Sequence, residues 1–85
     1  MNQKSVTIYT TPTCSYCRAT KELFQQHNVT YTEVDVSRDQ KIAREMIQKS
    51  GQMGVPVILI GEGKDMEIVV GYDRARLSKA LNLNL

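Results

Sequence analysis

Apolar and polar positions follow two periods along this chain. Val6-Thr7-Ile8-Tyr9-Thr10 is rich in β-branched residues, and residues 5–10 read as a strand. Thr11-Pro12-Thr13 is the turn that follows. Over residues 15–27 the period becomes helical. Ala19 and Leu23 are four apart, as are Thr20 and Phe24, which gives one apolar face. Asn28 fits the C-cap. Residues 30–36 alternate as a strand does, with Tyr31, Glu33 and Asp35 on one side and Thr32, Val34 and Val36 on the other. Ser37, with Gln40 three residues on, makes a capping box for a second helix. That helix carries Ile42, Ala43, Met46 and Ile47 on one face and ends at Ser50-Gly51. Val57-Ile58-Leu59-Ile60 is an unbroken apolar run, as expected of a central strand buried on both faces. Gly61-Glu62-Gly63-Lys64-Asp65 is a hairpin loop, and residues 66–70 return from it. Asp73 caps a last helix with apolar Leu77, Ala80 and Leu81. The order is βαβαββα. Two crossovers, both read as parallel, and a final hairpin predict an α/β fold: a four-stranded mixed sheet flanked by helices.

The 85 residues read as a single domain over 1–85. A chain of this size buries about 60–65% of its unfolded surface, so its core is modest. Hydrophobic residues make up 41% and charged residues 24%, which is ordinary for a globular domain. The net charge of +2 is too small to suggest nucleic acid or a membrane as partner. The basic residues Lys21, Lys41, Arg44, Lys49 and Lys64 are scattered and read as solvated. Met1-Asn2-Gln3-Lys4-Ser5 leads straight into the first strand, without an apolar signal segment, and no transmembrane run follows. A cytoplasmic monomer is expected.

The chemistry concentrates at Cys14-Ser15-Tyr16-Cys17, which holds both cysteines of the chain. The pair lies at the end of a strand and the start of a helix, and reads as a thioredoxin-like redox motif. One helical turn between the sulfurs lets them close into a small disulfide ring. The first cysteine stands at the helix N-terminus, where free N–H groups and the positive dipole end favour a thiolate. That thiolate attacks a substrate disulfide, and the second thiol resolves the mixed disulfide. A zinc site normally needs four ligands, and the lone His27 sits ten residues beyond Cys17, far from ligand spacing; no metal is expected. A structural disulfide over so short a loop would stabilise little.

Val55-Pro56 is the second informative place. Proline there precedes a buried strand, where it cannot donate to the ladder. It reads either as a trans proline that starts the strand, or as a cis peptide that leaves the Val55 backbone free to pair with a bound peptide. Tyr72 either packs on the hairpin or lines a site; Gly71 before it and the capping Asp73 after it favour the second. Tyr9 and Tyr31 read as sheet residues, and Met46, Met53 and Met66 as packing residues, Met53 lying in a loop beside the site. His27 ends the first helix, where a cation suits the dipole.

Together, Ile8-Tyr9-Thr10, Cys14-Ser15-Tyr16-Cys17, Val55-Pro56-Val57-Ile58 and Gly71-Tyr72-Asp73 resemble the glutaredoxins in order and spacing over nearly the whole chain. The resemblance implies a thioredoxin-like (glutaredoxin) fold, a cis Val55-Pro56 bond, and thiol–disulfide exchange at Cys14 with Cys17 resolving. It implies that Tyr16 lines the site and that the Val55 backbone pairs with the cysteinyl unit of glutathione. The turn Tyr72-Asp73 would receive the γ-glutamyl carboxylate, with Thr11, Pro56 and Gly71 also among the glutathione-binding positions. The chain departs from the family at several points. Ser15 replaces a proline, Thr11 a basic residue, and Gly54 the threonine before Val-Pro. Arg74 stands where a second aspartate is usual. Arg18 and Arg74 are candidates for the missing charge.

The expected function is a small dithiol oxidoreductase that reduces protein disulfides or glutathione mixed disulfides. It would bind no permanent organic cofactor and use glutathione as cosubstrate. Two other readings follow from the same resemblance. One is an electron donor reduced by thioredoxin reductase and oxidised by ribonucleotide reductase. The other is a module that bridges a [2Fe–2S] cluster with glutathione. A redox sensor without turnover is a further class.

Overall fold

Two apolar faces of one sheet decide where the helices lie. The computed structural model describes residues 5–52, 54–61, 63 and 66–82. Met53, and Glu62, Lys64 and Asp65 of the expected hairpin loop, fall outside them. The elements run β1 (Val6–Thr10), α1 (Ser15–Gln26), β2 (Thr32–Asp35), α2 (Gln40–Ser50), β3 (Val57–Ile60), β4 (Glu67–Val70) and α3 (Arg74–Leu81). The four strands form one mixed sheet in the order β2-β1-β3-β4. Helices α1 and α3 cover one face, where Leu23, Phe24, Leu77 and Ala80 pack on Val6, Ile8, Ile58, Ile60 and Val69. Helix α2 covers the other, where Met46 packs with Tyr9, Val57 and Leu59. Strand β3 feeds both cores by alternation and is buried at every position, as its unbroken apolar run requires.

The expected pair of parallel crossovers is corrected to one. Strand β1 pairs with β2 in parallel but with β3 antiparallel. Strand β2 ends beside Thr10 of β1, and β3 begins beside Tyr9 of β1. The segment carrying α2 therefore leaves and re-enters the sheet at the same end, so β3 must run back down. An apolar run has the same periodicity in either direction, so the sequence pattern carried no sign of this.

The helix ends follow local chemistry. At the end of α1, Asn28 adopts the left-handed conformation with φ 57°. Its N–H donates to the Gln25 carbonyl and that of Val29 to the Phe24 carbonyl at 2.8 Å. This is a Schellman closure, and Val29 is buried in the same core as Phe24. Asn28 thus stands one residue beyond the cap itself, which is His27. The capping box expected at Ser37 and Gln40 does not form. Asp39 is the N-cap of α2 and accepts from the Lys41 N–H at 2.8 Å. Ser37 instead donates through both N–H and hydroxyl to Asp35 Oδ1. A carboxylate one residue before the helix outcompetes a hydroxyl three residues before it, because it reaches the free N–H groups directly. Asp73 caps α3 as expected, accepting from the Arg76 N–H at 3.1 Å.

One polar tie crosses from α1 to β2. Thr10, at the end of β1 and 2% exposed, donates its hydroxyl to Glu33 Oε2 at 2.8 Å. Lys21 on α1 reaches the same oxygen at 2.9 Å. The Lys21 hydrogen bond, then that of Thr10, hold the Glu33 carboxyl below its ordinary value. The Glu33 hydrogen bond raises the Lys21 ammonium above its own.

Two tests follow. Asp39→Ala should cost about 1 kcal/mol and lower the melting temperature by roughly 4–8 °C, while Ser37→Ala should stay within about 0.5 kcal/mol. Equal losses in thermal unfolding would restore Ser37 as the cap. The second test concerns pH. A carboxyl with a depressed folded pKa stabilises above its unfolded value, here 4.5, and that stability fades as pH falls through the folded value. A raised lysine stabilises below its unfolded 10.5 and loses this as pH rises through the folded value. Glu33→Gln should therefore destabilise by up to about 1 kcal/mol at neutral pH, the pair being partly exposed. The difference from wild type should shrink in urea unfolding as pH falls below 4.5. Asp35, lowered by the Ser37 hydrogen bonds, keeps its own acid dependence in both proteins.

Candidate dithiol site at the head of α1

Strand β1 ends at Thr10, a turn follows, and the Cys14 N–H closes it on the Thr11 carbonyl at 3.3 Å. This delivers Cys14 as the N-cap residue of α1, in extended conformation. Its sulfur takes the part that an oxygen plays at most caps, accepting the Cys17 N–H at 3.1 Å. The helix then continues because its apolar face docks: Cys17, Thr20, Leu23 and Phe24 are its buried residues. Thr20 is fully buried and satisfies its hydroxyl on the Tyr16 carbonyl at 2.8 Å.

The two thiols occupy different surroundings. Cys14 is half-buried, whereas Cys17 is 1% exposed; both are free. Burial, with the hydrogen bond and charge of Cys14, pushes the Cys17 thiol up to about 12. A backbone hydrogen bond at Thr11 and the Lys21 ammonium oppose this. Cys17 is thus held as a neutral thiol under the outer sulfur.

A second loop closes over the pair. Val55-Pro56 is cis, the alternative that the resemblance implied. The Val55 carbonyl accepts from the Cys14 thiol at a long 3.8 Å. The Pro56 carbonyl accepts the Gly71 N–H at 2.8 Å, which ties this loop to the end of β4. Gly71 has φ +81°, a conformation that L side chains rarely adopt, although a Cβ there would meet nothing within 4 Å. The constraint on Gly71 is therefore backbone angle and not space.

The remaining expected residues fall at different distances from this centre. Thr11 is half-buried in the turn before Cys14, and Tyr16 stands out on α1 at 65% exposure. Tyr72 is half-buried and packs against the α1/α3 core, so its ring has at least the packing role read for it. The Asp73 carboxylate is engaged at the N-terminus of α3. Arg18 and Arg74 are exposed. Sequence reasoning missed Thr10, Lys21 and Glu33. The usable signal was Lys21 four residues after Cys17, one helical turn along the same face. Among the described residues, no group of three or more His, Cys, Asp or Glu is placed to hold a metal ion, and no helix is long and apolar enough to cross a membrane.

Comparison with known proteins agrees with this geometry. The family model described as Glutaredoxin matches residues 6–64. The chain is 41% identical over 76 residues to a glutaredoxin-like 8.6 kDa protein in the rubredoxin operon of Clostridium pasteurianum, covering 89% of this chain and 96% of that one. It is 38% identical over 56 residues to Glutaredoxin 3 of Escherichia coli K12, covering 66% of this chain and 68% of the other. A solved mutant of a thioredoxin-like protein superposes with a TM-score of 0.83 at 26% identity, over 94% of this chain and 97% of that one. The family match spans well over half of the chain and one relative parallels it nearly end to end: the chain belongs to the glutaredoxin family.

Proposed function

We propose that this chain is a dithiol oxidoreductase that reduces disulfides through Cys14, with Cys17 resolving. The observation that carries this reading is the asymmetry of the pair: a half-buried Cys14 sulfur receives a helix N–H, and a wholly buried Cys17 thiol lies one turn behind it. A helix N-cap favours negative charge on the atom it faces. Cys14 Sγ attacks one sulfur of the substrate disulfide, and the other leaves as a thiolate that takes up a proton. Cys17 Sγ then attacks Cys14 Sγ, the bond from Cys14 to the substrate breaks, and the substrate departs reduced. The protein is left as the Cys14–Cys17 disulfide, which an external thiol reduces again. The relative from a rubredoxin operon fits a role in electron transfer. A lone cysteine pair fits a reducing compartment such as the cytoplasm.

Glutathione is the proposed cosubstrate, with no permanently bound cofactor. Val55, Pro56, Tyr16 and the Gly71-Tyr72-Asp73 turn are its proposed contacts, the first next to the reactive sulfur. Thr11 supplies no charge for a glutathione carboxylate. Each charge-assisted hydrogen bond lost should cost about 1.5–3 kcal/mol of affinity. Weak glutathione use is the consequence, and a flavoprotein thioredoxin reductase is the alternative electron source.

Turnover should be measured with glutathione and its reductase, beside thioredoxin reductase with NADPH. Cys14→Ser should abolish turnover with both. Cys17→Ser should accumulate a mixed disulfide at Cys14, visible by mass spectrometry, and retain glutathione-linked activity. Wild-type turnover that survives Cys14→Ser would end the reading. Thr11→Lys should lower the KM for glutathione substrates roughly tenfold, with a smaller effect on a protein disulfide. An unchanged KM would place the compensating charge elsewhere, with Arg18 and Arg74 the next to replace.

A further inference from the structure

The resolving step raises a difficulty that Cys14 and Cys17 do not solve between them. Cys17 must give up its proton to attack, yet it is 1% exposed and burial disfavours its thiolate. Lys21 stands one helical turn beyond Cys17 on α1, at the spacing where side chains are neighbours. It is not a free surface lysine. Its ammonium lies 2.9 Å from Glu33 Oε2, the oxygen that the buried Thr10 hydroxyl also holds at 2.8 Å. Lysine is flexible, so this bond holds the charge beside α1 on the β2 side of the sheet, with the pair still partly exposed to water.

Resting on the dithiol reading above, we propose that Lys21, anchored by Glu33 and Thr10, is a positioning residue for the resolving step, its ammonium stabilising the thiolate that Cys17 forms as it attacks Cys14.

The groups acting on Cys17 support this. They are the hydrogen bond and charge of Cys14, a backbone hydrogen bond at Thr11, and the charge of Lys21. Those facing Lys21 are Glu33, Tyr31 and Cys17. Once Cys14 is tied to a substrate it carries no charge. Both of its contributions against the Cys17 thiolate then disappear, while Lys21 remains as the charged side chain acting in its favour. Formation of the mixed disulfide thus prepares Cys17 for attack. In the step itself the Cys17–Cys14 sulfur bond forms and the bond from Cys14 to the substrate sulfur breaks. The electron pair leaves on the substrate sulfur, and the proton from Cys17 reaches that thiolate through solvent. Glu33 keeps the ammonium charged and in place, and Thr10 keeps Glu33 in place.

The two steps can be separated with an aromatic disulfide that releases a coloured thiolate, mixed with the reduced protein in stopped flow. A first release reports attack by Cys14, and a second reports attack by Cys17 on the mixed disulfide. Lys21→Met should slow the second release roughly three- to tenfold at neutral pH and displace its pH profile to higher pH, while changing the first less than twofold. Lys21→Arg, which keeps the charge, should restore the second phase. Lys21→Gln serves as a second neutral variant should Lys21→Met fail to fold. A second phase with unchanged rate and pH profile in either neutral variant would overturn the proposal. So would a loss that Lys21→Arg does not repair, because it would reflect packing. Absence of the first release from wild type would instead defeat the dithiol reading itself.

Discussion

A sulfur atom caps the first helix. Helix N-termini leave N–H groups without partners, and side-chain oxygens usually satisfy them. Here Cys14 takes that place, so the geometry that completes α1 also holds the sulfur proposed as the nucleophile. Its N–H is returned to the Thr11 carbonyl and its carbonyl accepts the Arg18 N–H at 3.3 Å. The residue is fixed on both sides before any substrate arrives. Sulfur is a weak acceptor. Most of the stability of α1 must therefore come from its docked face, where Leu23 and Phe24 meet the sheet, and from the Asn28 closure at the far end.

That docking sets the depth of the second thiol. Cys17 lies on the same buried face as Thr20, Leu23 and Phe24, and one turn of helix is enough to take a side chain from half-buried to enclosed. Phe24 packs on Tyr31 with ring centroids 5.4 Å apart, which brings the entry to β2 against α1. The polar tie from Thr10 through Glu33 to Lys21 lies on this same side of the sheet. The α1/α3 face thus combines an apolar core with the Lys21–Glu33 pair at its β2 edge and the Arg76–Glu67 pair at its β4 edge. Among the described residues, no buried side-chain nitrogen or oxygen is left without a partner.

The other half of the site comes from the far end of the sequence. The Val55-Pro56 loop reaches Cys14 because β3 pairs with β1 antiparallel and begins beside Tyr9. Had β3 run parallel to β1, its first residue would lie at the opposite end of the sheet, remote from the dithiol. The Gly71 N–H then clasps the Pro56 carbonyl, so β4 and the start of α3 arrive at the same place. Three separate stretches of chain meet because of one choice of strand direction.

The sequence by itself determined the elements and the family resemblance. The alternation over 30–36, the helical spacing of Leu23 with Ala19, and the unbroken run at 57–60 each carry a period that one structure satisfies, and each element formed there, β2 as the shorter Thr32–Asp35. Cys14-Ser15-Tyr16-Cys17 marked the candidate site for a local reason: three residues on a helix bring two sulfurs onto one turn. Tertiary structure decided what has no local signature. The direction of β3 is invisible in an apolar run that reads alike both ways. The cap of α2 depended on a contest between Ser37 and Asp39, settled when Asp35 captured Ser37. Lys21 looked like one solvated charge among several. Its pairing with Glu33 required β2 to lie beside β1 and beneath α1, a long-range arrangement that no window of sequence contains.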